Sequence, residues 1–94
     1  MIVIRRLIWD DWNVDHIARH GVTSEDVEEV CQGSYLVRQT YGGRLMVIGP
    51  NAAGNLLSAI LAPEGEDAYY VVTARPSAKK ERRIYRETKG GDRP

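Results

Sequence analysis

The chain reads as an α+β domain, and three observations carry that reading. Apolar residues recur at three- and four-residue steps in the first third of the sequence, which is a helical period. Past Gly33 the spacing becomes extended, and turn residues at Gly42-Gly43, Pro50–Gly54 and Pro63–Asp67 divide the stretch up to Arg75 into short antiparallel strands. A charged segment after Pro76 returns to the helical period. With 94 residues, 43% of them hydrophobic, the chain has material for one small core and no room for a second domain. A single domain is expected over residues 1–89, with 90–94 a flexible tail.

Each element has a local reason. Ile2 to Trp9 is rich in β-branched and apolar residues and is expected to be a strand that ends at Asp10-Asp11. Trp12, His16, Ile17 and His20 then keep to helical steps, with Gly21 placed to stop a short first helix. Thr23 is the expected N-cap of a second helix, with Asp26 at its third position and Val22 and Val27 stapled across the cap. Val27, Val30 and Cys31 are expected on its buried stripe, Glu28 and Glu29 in water, and Gly33 at its end. Ser34–Thr40 and Arg44–Gly49 read as a hairpin about Tyr41-Gly42-Gly43, followed by strands over Asn55–Ala62 and Ala68–Arg75. Pro76 suits the first position of a helix spanning Ser77–Thr88, where its missing N–H costs nothing. The order is β-α-α-β-β-β-β-α. Trp9 and Trp12 are expected as core anchors, and Tyr69 and Tyr70 on opposite faces of their strand.

Composition narrows the function. No apolar run approaches the ~18 residues of a membrane span, and Met1 to Arg6 is too short for a signal peptide, so a cytoplasmic location is expected. Cys31 has no partner for a disulfide, and His16 and His20 supply no repeated zinc-site spacing, so neither a metal nor another cofactor is expected. The net charge of zero conceals segregation. Asp10 to Glu29 holds seven acids against Arg19 alone, whereas Arg75 to Pro94 holds eight bases against three acids. A local basic surface on a neutral protein is the consequence.

The candidate chemistry lies in that basic end. Helical spacing puts Ala78, Glu81, Ile84, Tyr85 and Thr88 on one side of the last helix, with Lys79, Arg82, Arg86 and Lys89 on an adjacent strip. A carboxylate, a guanidinium and a phenol thus fall within one turn, next to Arg75. Such a set meets what metal-independent cleavage of RNA asks for: a group to take the 2′-hydroxyl proton, a donor for the leaving oxygen, and cations for the charge gathering on the phosphate. The same strip also reads as a solvated helix face. His20 reads both as a cap of the first helix and as a residue that touches a substrate or partner.

Trp9-Asp10, Asn13, His20-Gly21-Val22 before a capped acidic helix, Arg44 and Gly49 on the hairpin, and Ala74-Arg75 with Lys80-Glu81-Arg82 and Tyr85 resemble the BrnT-type toxins of bacterial toxin–antitoxin pairs. The resemblance spans nearly the whole chain. It implies a RelE-like ribonuclease fold, with helices packed on one face of a curved antiparallel sheet and RNA engaged on the other. It implies an endoribonuclease that cuts messenger RNA, on or off the ribosome, and a cognate antitoxin with a ribbon-helix-helix DNA-binding domain. Under it, Arg75 and Arg82 are the phosphate and transition-state cations, Tyr85 a proton donor or positioning phenol, and Glu81 a base or the orienter of Arg82. Arg44, Lys79, Lys80 and Arg86 would hold the RNA backbone. The chain departs from the family pattern at Pro76, where a basic residue is usual, at Ser58–Pro63, and at Cys31. A toxin-fold module that only complexes its antitoxin and supports DNA repression is the rival expectation.

Overall fold

The computed structural model describes residues 2–90. Strand β1 (Arg6–Ile8) leads through helices α1 (Asp11–Ala18) and α2 (Ser24–Gln32) to strands β2 (Leu36–Gln39), β3 (Leu45–Pro50), β4 (Leu56–Gly65) and β5 (Ala68–Pro76), and helix α3 (Lys79–Gly90) comes last. The α+β class and the β-α-α-β-β-β-β-α order are as expected. The strands form one sheet in the order β1-β5-β4-β3-β2. Neighbours from β2 to β5 run antiparallel, and β1 joins β5 in parallel.

Both N-terminal helices start on reciprocal caps. The Asp10 carboxylate accepts the Asn13 N–H at 2.9 Å while Asn13 Oδ1 accepts the Asp10 N–H at 2.9 Å. Thr23 Oγ1 and Asp26 make the same exchange at 3.1 and 3.0 Å, with Val22 and Val27 buried across the cap. The β2–β3 tip is a 3-10 turn over Tyr41–Gly43, where Gly42 and Gly43 take φ of 62° and 77°, a region that only glycine enters freely.

The core joins Ile17 of α1 and Val27 and Val30 of α2 to Leu45, Val47, Leu57, Ala59, Leu61 and Val71 of the sheet. Alternation along β3 divides the two faces. Leu45, Val47 and Gly49 turn to α2, whereas Met46 and Ile48 line a groove with Ile84 of α3. The helices therefore do not share one face, as the resemblance had implied: α3 lies across the face opposite α1 and α2. Among the described residues no helix is long and apolar enough to cross a membrane.

Several local expectations are corrected by long-range partners. The first strand shrinks to Arg6–Ile8: at its start the Arg5 and Arg6 N–H groups both turn to Asp67 O (2.9 and 3.2 Å), and at its end the buried Asn13 amide donates to both Ile8 O (3.0 Å) and Val71 O (3.1 Å), where further pairing with β5 would run. Strand β4 continues through Pro63 to Gly65, a register shift absorbing the proline. Pro76 pairs with Leu57 at the end of β5, so the last helix begins at Lys79 and extends through Gly90. The rest of the expected tail, 91–94, lies outside the described residues. Trp12 is 59% exposed and is no core anchor, because the inner side of α1 is taken by Asn13 and Ile17. Glu28 and Glu29 are half-buried: they accept the Trp9 Nε1–H and the Ala52 N–H, each at 2.9 Å. Cys31 packs against the core as expected, and burial pushes its thiol up to about 12.

Candidate active site

The β5–α3 connection gathers the polar groups. The Ala78 carbonyl receives the first helical hydrogen bond, from Arg82 N–H at 2.9 Å, and the Ala78 N–H donates to Glu81 Oε1 at 2.8 Å. Glu81 thus caps its own helix from the third position. Ser58, buried on β4, donates to the same carboxylate at 2.8 Å, so its one proton is used and the Ser77 hydroxyl must donate to Ser58 Oγ, 2.8 Å away. Arg75 completes the network with two parallel bonds of 2.7 Å to the Glu81 oxygens.

Electrostatics follow from that geometry. Hydrogen bonding by Arg75, reinforced by the Ala78 N–H and the Ser58 hydroxyl against the opposing effect of burial, holds the Glu81 carboxyl down at about 2. Glu81 is therefore ionised at neutral pH, with its oxygens occupied by Arg75, Ser58 and the Ala78 N–H. The carboxylate positions Arg75, where the sequence pointed to Arg82. The Arg75 side chain keeps 42% of its surface open, against 13% for Glu81.

Arg82 is half-buried and donates through Nη1 to Ser77 O at 2.7 Å, while Arg75 Nη1 reaches Pro76 O at 3.3 Å. Both guanidinium groups thus meet consecutive carbonyls of the connection. Arg82 also lines a cavity of about 340 Å³, half polar and half apolar, with Asp26, Asn51 and Ser77 on one hand and Leu56, Leu57 and Pro76 on the other, and Gly21 beside them. Across the helix, Glu81 and Lys80 border the groove of about 290 Å³ floored by Met46, Ile48 and Ile84 and rimmed by Arg38. Tyr85 donates its hydroxyl to Ser34 O at 2.7 Å and so ties α3 to the approach of β2.

The remaining candidates spread outward. Lys79, Lys80 and Arg86 are exposed on α3, and none of them is in an ion pair among the described residues. Arg44 is exposed at the hairpin tip. His20 is exposed and meets the His16 ring edge-on at 5.6 Å, one residue before the Gly21 that lines the Arg82 cavity. Sequence reasoning missed Ser58, Ser77, Arg38 and Arg83. Arg83 and Arg38 are exposed cations on the same helix and groove. For Ser58 the available signal was a lone hydroxyl in the apolar run Leu56–Ala62.

No protein-family model matches the chain, and no curated protein does. Among solved structures, the chain is similar to the Brucella abortus ribonuclease toxin BrnT, at 30% identity and a TM-score of 0.64, over 79% of this chain and 97% of that one.

Proposed function

The chain belongs to the BrnT toxin family, and on that premise we propose that it is the toxin of a toxin–antitoxin pair, a metal-independent endoribonuclease that cuts messenger RNA and arrests translation. The observation that carries this reading is that Arg75 and Arg82 bond consecutive carbonyls of the β5–α3 connection, beside a helix whose exposed residues include Lys79, Lys80, Arg83 and Arg86. Those exposed cations and Arg44 take the RNA phosphates. Arg75, held by Glu81, and Arg82 stabilise the charge that builds on the phosphate as the neighbouring 2′-hydroxyl attacks. Tyr85 acts as a positioning phenol, since its proton is engaged by the Ser34 carbonyl. A cognate antitoxin with a ribbon-helix-helix domain would cover the basic surface.

One observation favours the rival, non-catalytic module: Arg75, Glu81, Arg82 and Tyr85 each already have an internal partner. Induced expression in a bacterium separates the two readings. Growth arrest with degraded messenger RNA in the wild type, relieved by Arg82→Ala, is the expected result. Normal growth with intact RNA and a folded wild-type protein would establish the binding module instead.

A further inference from the structure

Of the seven acids between Asp10 and Glu29, four are engaged inside the fold. Asp10 accepts the Asn13 N–H and the Tyr70 hydroxyl, Asp26 caps α2, Glu28 takes the Trp9 indole and Glu29 the Ala52 N–H. Asp11, Asp15 and Glu25 have no side-chain hydrogen bond or ion pair among the described residues. Of those three, Asp15 lies three residues after Trp12, the more exposed of the two tryptophans, and Asp11 lies four residues before Asp15, both neighbour spacings on a helix surface.

Trp12 is also held in place. Its ring lies flat on His16, with centroids 4.8 Å apart and planes 9° from parallel. His16 is fixed in turn by Thr73 Oγ1, 3.1 Å from its Nε2, and by the edge-on ring of His20. One face of the indole is covered and the other is open, beside a shallow notch of about 150 Å³ lined by Trp12, Asp15, His16 and Arg19. A ring already ordered loses little further freedom when a partner lands on it.

We propose that Trp12, Asp11 and Asp15 form a docking site for a protein segment bearing arginine. The guanidinium lies on the open indole face, and its N–H groups turn to the two carboxylates. The indole face is the strongest of the aromatic cation acceptors, and the flat guanidinium suits it better than an ammonium does. An RNA strand fits poorly here, because its phosphates would meet the acidic stretch from Asp10 to Glu29. The site shares no residue with the Arg75–Glu81 network or with Arg82, and the proposal does not depend on ribonuclease activity.

The test titrates the full chain with a short arginine-rich peptide, a glutamate-rich peptide of equal length, and oligouridylate, read by calorimetry and tryptophan emission. The arginine peptide is expected to bind and to change the emission of Trp12, Trp9 being engaged by Glu28. Trp12→Ala and the double variant Asp11→Asn/Asp15→Asn should each weaken it by about tenfold. Glu25→Gln, which removes an equally unpartnered charge on α2, should leave affinity unchanged. Wild-type affinity in Trp12→Ala, or a loss in Glu25→Gln equal to that in the double variant, would reduce the effect to diffuse charge and overturn the proposal. Failure of the arginine peptide to bind, or a response of Trp12 to oligouridylate, would overturn it too, the latter in favour of a nucleobase platform.

Discussion

Glu81 accepts four hydrogen bonds, two of them from Arg75, and those bonds make it a stability element as well as a site residue. Folding lowers its carboxyl from 4.5 to about 2, so the stabilisation is complete above 4.5 and is lost as pH falls through about 2. Glu81→Gln should cost about 1–2 kcal/mol near neutral pH, the open Arg75 end of the pair being screened by water. Urea denaturation should show the gap between wild type and variant constant near neutrality and closing as pH falls below 4.5. Tyr85 separates position from chemistry. Removing its hydroxyl leaves Ser34 O without that donor, so Tyr85→Phe should lower stability by about 1 kcal/mol. RNA cleavage should fall less in Tyr85→Phe than in Arg82→Ala; an equal fall would make the phenol a proton donor.

At the level of elements, β3 comes close to the chain above it at Gly49. A Cβ built on Gly49 would lie 3.1 Å from Tyr35 Cβ and 3.2 Å from Val30 Cγ1, so those groups would have to give way by a few tenths of an ångström. Gly49→Ala should therefore cost about 1–3 kcal/mol, visible as a lowered midpoint in thermal melting. Elements whose reasons are local were readable in the sequence. The start of α2 needs only Thr23, Asp26, Val22 and Val27, all close together along the chain, and the hairpin tip needs only Gly42-Gly43. Elements bounded by distant partners were not: Asn13 ends β1, and Leu57 draws Pro76 into β5. The candidate site divides the same way. Arg75 and α3 adjoin in sequence, so their meeting was legible. Ser58 enters only through strand register, opposite Arg75. Glu81 and Arg82, consecutive on a helix, point about 100° apart, which is why the carboxylate serves Arg75 instead.

For the molecule as a whole, charge segregation survives folding, but half of it is spent inside. Four of the seven acids from Asp10 to Glu29 bind neighbouring parts of the chain, whereas Lys79, Lys80, Arg83 and Arg86 of α3 stay exposed. RNA affinity should therefore fall steeply with salt, with a log–log slope of about −0.7 for each phosphate contacted. Fluorescence anisotropy across a salt series should show a shallower slope for Lys79→Ala/Lys80→Ala; an unchanged slope would remove those lysines from the interface. The parallel pairing of β1 with β5 bears on when the molecule becomes complete. β1 pairs Arg6–Ile8 with Ala68–Tyr70, so closing it spans α1, α2 and strands β2 to β4. During synthesis β1 is made before its partner strand, with α1, α2 and β2 to β4 in between. The earliest of these strands is thus the last to pair, and the sheet gains its β1 edge only once β5 is available. Backbone amides of Leu7 and Ile8 should accordingly exchange with solvent sooner than those at the centre of β4, and a nascent chain halted before β5 would carry a capped helical pair and an unfinished sheet.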